Sequence, residues 1–108
     1  MSSIFEERER GYEAKWAHDE EKHFAILAER NRRLAAWAAE KMNLPATERD
    51  HYVQAVLTAW LDGHGPDPVF EKISQDFQAG HVVCSQSELR ARMKTLFELS
   101  EKDVASSP

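Results

Sequence analysis

Two Glu-x-x-His pairs, Glu20 with His23 and Glu48 with His51, are the residues of this 108-residue chain best suited by type to metal chemistry. A carboxylate and an imidazole three positions apart share one helix face, and two such pairs on facing helices form part of the ligand set of carboxylate-bridged di-metal sites. The order of the elements argues against such a site. If the chain reverses at Pro45, His51 falls near the turn while His23 lies about twenty residues before it, roughly 25 to 30 Å away along the helix axis. The further inward-facing glutamates are also lacking, because Glu71, Glu88 and Glu98 fall at capping or polar positions. No metal site is expected.

Nucleophilic chemistry has no better footing. Cys84 is the single cysteine, cannot close an internal disulfide, and ends the apolar run Val82-Val83-Cys84, so it reads as a buried structural thiol. No serine sits in a Gly-x-Ser-x-Gly elbow, and His64, between two glycines, reads as a solvent-exposed turn residue. No catalytic residue is assigned, and the chain is not expected to be an enzyme. A formal charge of -5 opposes nucleic-acid binding, since the basic triplet Arg30, Arg32 and Arg33 is flanked by Glu29 and Glu40. The longest apolar run, Leu34 to Ala39, is only six residues, far short of a membrane span. The charged start, without an apolar signal core, leads us to expect a cytoplasmic protein.

The elements that position these residues are helical. Between Phe5 and Met42 there is no proline, and Phe24, Leu27, Ala28, Asn31, Leu34, Ala35, Ala38 and Met42 recur at helical spacing. Asn43-Leu44-Pro45 ends this long first helix. Thr47, with Asp50 three residues on, is read as the cap of a second helix whose apolar face is Tyr52, Val53, Val56, Leu57, Trp60 and Leu61, ending near Asp62. Asp67-Pro68 starts a short third helix with Val69, Phe70, Ile73 and Phe77 inward, and Gly80 is read as its left-handed stop. Ser85 and Glu88 form a capping box for a fourth helix carrying Leu89, Met93, Leu96 and Phe97, expected to fray near Ser100. The fold class is all-α: an antiparallel four-helix bundle with a long first helix whose N-terminal part is an extended or partly disordered arm.

That N-terminal part does not read as core. It mixes Glu6, Glu7, Glu9, Glu13, Asp19, Glu20 and Glu21 with Arg8, Arg10, Lys15 and Lys22. Yet Phe5, Tyr12 and Trp16, spaced by seven and four, place three aromatics on one narrow stripe, which suits a groove on a partner as well as it suits docking back onto the bundle. Gly11 lowers helix propensity there by about 1 kcal/mol relative to alanine, so the segment can complete its helix on binding.

In the runs Phe5-Glu-Glu-Arg-Glu9, Glu13-Ala-Lys-Trp-Ala-His-Asp-Glu-Glu21, Arg32-Arg-Leu34 and Trp37-Ala-Ala-Glu40, the chain resembles the zeta inhibitor subunit of alphaproteobacterial F-type ATP synthases. The resemblance continues more loosely through Asp76-Phe77 and the Ser85 to Met93 stretch. It departs at Trp16, where another aromatic such as phenylalanine is usual, at Glu6-Glu7, where aspartates are common, and at Lys22, where an apolar residue is common.

The resemblance implies a four-helix regulatory protein whose N-terminal arm enters the catalytic head between catalytic and rotor subunits and blocks rotation in the hydrolytic direction. On that basis residues 1–22 are the inhibitory arm, 23–103 the four-helix domain and 104–108 a disordered tail. Phe5, Tyr12 and Trp16 would anchor the arm, Arg8, Arg10 and Lys15 would meet acidic groups of the head, and His18, Asp19, Glu20 and His23 would mark the junction of arm and bundle. Histidines at this junction, His18 and His23, would also make binding pH-sensitive. The resemblance implies no required cofactor; it admits weak adenine-nucleotide binding, although no Gly-x-x-x-x-Gly-Lys loop occurs. The expected place is the cytoplasmic face of the membrane-bound synthase, without insertion into the membrane. A generic helical adaptor has the same composition and remains the alternative.

Overall fold

The computed structural model describes the backbone of residues 2–63 and 65–106 and the side chains of residues 19–63 and 65–106. Four helices follow in order, α1 (Ser2–Lys41), α2 (Ala46–Asp62), α3 (Pro68–Ala79) and α4 (Gln86–Ser106), with no strand among the described residues. α1 packs against both α2 and α4, α2 packs against α3, and α3 makes lighter contacts with α1 and α4. The expected all-α, four-helix fold is present. Neighbours along the chain run back on one another: α2 returns until Trp60 meets Phe24, and α4 leaves Lys41 of α1 at Glu88 before Phe97 approaches His23.

The core draws on all four helices. Leu34, Ala35 and Ala38 of α1 are fully buried with Val56 of α2, Val69, Ile73 and Phe77 of α3, and Leu89 and Met93 of α4. Around them Trp37, Met42, Tyr52, Trp60, Val82 and Leu96 are partly covered. The helical period located most of this set, but it also placed Phe24 and Leu61 inside, and they are 53% and 64% exposed. Phe24 meets Trp60 near the last turn of α2, and Leu61 lies on that turn. In their place Ile26 and Ala39 are buried.

Local signals explain the helix ends, with three corrections. α1 stops in a Schellman motif: Asn43 adopts φ 55°, Leu44 N–H donates to Ala39 O at 3.0 Å and Asn43 N–H to Glu40 O at 3.0 Å. α2 then starts at Ala46, one residue before the expected Thr47 cap. Pro45 is its N-cap residue, without a side-chain cap, and its carbonyl accepts from Glu48 and Arg49 N–H. Gly80 is not the left-handed stop of α3. It has φ -88°, His81 takes the left-handed position at φ 55°, and Val82 N–H donates to Phe77 O at 2.8 Å. Stopping one residue later puts Val82 at the position that packs back on the helix, against the core. The Asp67 cap is present, its carboxylate accepting from Phe70 N–H at 3.4 Å, with Pro68 opening the helix.

α4 does not fray near Ser100. Ser100 is fully buried, its hydroxyl donates to Leu96 O at 2.7 Å, and Arg33 of α1 pairs with Asp103 one turn later. The helix therefore continues through Ser106 and takes in Val104, Ala105 and Ser106 of the expected tail. At its start Ser85 Oγ accepts from Glu88 N–H at 3.1 Å, while the Glu88 carboxylate turns to Lys41 at 3.5 Å rather than back to Ser85.

Tyr52 ties α2 to α3, its hydroxyl donating to Asp76 at 2.9 Å. Burial, and then the neighbouring carboxylate, push the phenol far above its ordinary range. The neutral phenol is thus favoured in the folded state, and this contribution is complete below the unfolded tyrosine value near 10 and declines as pH rises above it. Replacement by phenylalanine is expected to cost about 1 kcal/mol at pH 7 and to reduce the loss of stability above about pH 10, as read from urea unfolding across pH. In the same assay Ile73→Ala, at a fully buried position, is expected to cost about 3 kcal/mol.

Candidate interaction site

The side chains of Phe5, Arg8, Arg10, Tyr12, Lys15, Trp16 and His18 lie outside the described residues, although the backbone of all seven belongs to α1. Of the expected junction, Asp19, Glu20 and His23 are described, and all three are exposed. No proline or glycine interrupts residues 12 to 41, so α1 passes through the junction as one helix. His23 faces α4, with its ring 6.2 Å from that of Phe97. Asp19, Glu20, His23, Phe24 and Leu27 line an open groove of about 340 Å³.

Beside that groove Phe24 stacks obliquely on Trp60 of α2, the ring centroids 4.9 Å apart, and exposed Leu61 follows Trp60 on the last turn of α2. Asp19 and Glu20 on α1 and Asp62 on α2 are also exposed. The sequence reading placed Phe24 and Leu61 on inward faces, and both are exposed, whereas Trp60 is half-buried against the core as expected.

A second groove, about 470 Å³, is lined by Trp37, Lys41, Glu88, Ala91, Arg92 and Thr95 between α1 and α4. Lys41 and Arg92 stand 5.6 and 5.3 Å from the Trp37 ring, whose other neighbour is the edge of Phe77. These cations border the indole between α1 and α4.

A third polar grouping joins α1 to the α2–α3 loop and α4. Arg30 donates from Nε and Nη2 to Asn31 Oδ1 at 3.1 and 3.0 Å, and Arg90 pairs with Asp67 while lying 3.7 Å over Phe70. Burial lowers the Arg30 pKa; the charge of Asp67 opposes that shift and Arg90 adds to it. Asn31 is fully buried, and its Nδ2 has no hydrogen-bond partner among the described residues.

The Glu20–His23 and Glu48–His51 pairs are exposed, and no group of three or more metal-ligating side chains occurs among the described residues. Cys84 is half-buried against the core, not fully buried as expected, with Sγ 3.7 Å from Ser85 O. Among the described residues no helix is long and apolar enough to cross a membrane.

The chain matches the family model described as ATPase inhibitor subunit zeta over residues 1–103, and it belongs to that family. Its class is therefore regulatory, an inhibitor subunit associated with an ATPase. A search of the curated proteins gives no match.

Burial, followed by the neighbouring Glu88 carboxylate, raises the Cys84 pKa, so the thiol is largely protonated at neutral pH. Alkylation by iodoacetamide at pH 7 is expected to be several-fold slower than that of a small free thiol, and Glu88→Gln to accelerate it. Rate against pH, followed by mass spectrometry, checks both.

Proposed function

We propose that this chain inhibits ATP hydrolysis by a bacterial F-type ATP synthase by inserting the N-terminal part of α1 into the catalytic head, between catalytic and rotor subunits, and so blocking rotation in the hydrolytic direction. The observation that carries this reading is the disproportion of α1, which has 40 residues against 17 in α2. At 1.5 Å per residue that is roughly 60 Å against roughly 25 Å. α2 accompanies α1 only from the turn to Phe24, so the helix of the arm has no such neighbour within the hairpin.

Phe5, Tyr12 and Trp16 are the apolar anchors in this reading, and Arg8, Arg10 and Lys15 meet carboxylates of the head. Aromatic and arginine side chains dominate interface energetics, which suits a narrow stripe of this composition. The bundle, too wide to follow the arm, limits the depth of entry, and His18, Asp19, Glu20 and His23 mark where entry stops. The chain acts at the cytoplasmic face of the synthase by shape and charge, with neither catalytic residues nor a cofactor of its own. Membership of an inhibitor family weighs against a generic helical adaptor.

The test is ATP hydrolysis by the isolated catalytic head, titrated with the full chain and with a form lacking residues 1–20. The full chain is expected to inhibit and the shortened form to lose inhibition. Tyr12→Ala is expected to raise the half-inhibitory concentration about thirtyfold, the equivalent of losing one buried aromatic worth about 2 kcal/mol. Equal inhibition by the two forms would transfer the function to the bundle.

A further inference from the structure

We propose that the groove between α1 and α4 at Trp37 is a carboxylate-recognition site, in which Arg92 receives an aspartate or glutamate side chain presented by the ATPase. This rests on the reading that the chain acts on the ATPase head, and not on where the N-terminal part of α1 enters it.

Arg92 singles this groove out. Arg30, Arg32, Arg33, Arg49 and Arg90 each donate a hydrogen bond to another residue of the bundle. Among the described residues Arg92 alone of the arginines has neither a hydrogen-bond acceptor nor a carboxylate within ion-pair distance. The acids whose side chains are not described do not change this, because Glu6, Glu7, Glu9 and Glu13 precede Trp37 in one continuous helix by roughly 36 Å or more. Yet the guanidinium is placed, 5.3 Å from the Trp37 ring. A planar fork set against an aromatic ring, with its N–H groups unpaired among the described residues, is the donor geometry that takes a carboxylate through two parallel bonds.

Charge sets the class of the occupant. The groove holds Lys41 and Arg92 against Glu88, which already pairs with Lys41 at 3.5 Å. A positive charge is left over, and a single carboxylate balances it. A phosphate ester carries about two negative charges and would meet Glu88, which also occupies the first turn of α4, where the helix would otherwise favour an anion. The partner follows from the family, an inhibitor subunit associated with an ATPase. Trp37 stands roughly 20 Å beyond His23 along α1, so this contact is separate from the inserted segment and can be lost without it.

Binding of the full chain to the isolated head, measured as a dissociation constant at two salt concentrations, tests this. Arg92→Gln is expected to weaken binding about tenfold and to lower its salt dependence, with the thermal midpoint close to that of the unsubstituted chain because Arg92 is exposed. Arg92→Lys, which keeps the charge and loses the fork, is expected to recover only part of the affinity. Arg32→Gln is the control, an arginine already paired with Glu29 at 2.9 Å, and is expected to leave affinity unchanged. Unchanged affinity in Arg92→Gln overturns the site, and does so even if Tyr12→Ala has lost inhibition and the insertion reading stands. An equal loss in Arg32→Gln reduces the effect to general charge and overturns it as well. If Tyr12→Ala inhibits normally while Arg92→Gln binds weakly, insertion fails and the carboxylate site survives. ATP binding by the chain alone that Arg92→Gln abolishes, with head affinity unchanged, would assign the groove to a phosphate ligand and overturn the proposal. No binding of the unsubstituted chain to the head overturns both readings.

Discussion

The close approach of three helices to one seam of α1 sets the rest of the fold. Leu34, Ala35, Ala38 and Ala39 are all fully buried, and three of these four carry only a methyl group. Small side chains let neighbouring helix axes come near, so the larger Val56, Ile73, Leu89 and Met93 of the other helices can fill the centre. α1 is thereby the common wall against which α2 and α4 lie, and α3 closes the space between them. A larger residue at Ala35 or Ala38 would have to separate helices rather than fill a gap.

Polar contacts decide how the ends of this packing are held. Arg90 stacked on Phe70 and paired with Asp67 fixes the start of α3 against α4, with half-buried Arg30 beside them on α1. Most of the other ion pairs are exposed and worth little individually. Their contribution is alignment: Lys41 with Glu88 and Arg33 with Asp103 mark two levels at which α4 meets α1. Asn31 is buried beside Arg30, its Oδ1 taken by that arginine and its Nδ2 without a hydrogen-bond partner among the described residues.

Legibility followed the range of the interaction concerned. The Asp67 cap, the Ser85 cap and the stop at Asn43-Leu44-Pro45 depend on residues within one turn, and each was readable from spacing. His81 rather than Gly80 in the left-handed position was not, because the choice turns on whether Val82 can reach the core, a tertiary matter. The extension of α4 past Ser100 likewise depends on α1 supplying Arg33. At the candidate site the exposure of Asp19, Glu20 and His23 was legible from the charge of their segment. The exposure of Phe24 and Leu61 was not, since periodicity reports which way a side chain points around a helix and says nothing about whether another element covers it.

The continuity of α1 through residues 19 to 24 has a consequence for how the family can vary. The segment that leaves the bundle and the segment that builds it share one helical register, so they are locked in rotational phase. Each residue inserted or removed between them turns one about the other by roughly 100° and shifts it by roughly 1.5 Å. A change of seven residues, close to two full turns, restores the phase and alters only the reach. Length variation in this stretch is therefore quantised, and a single-residue change would disturb the orientation of both surfaces without touching a residue in either.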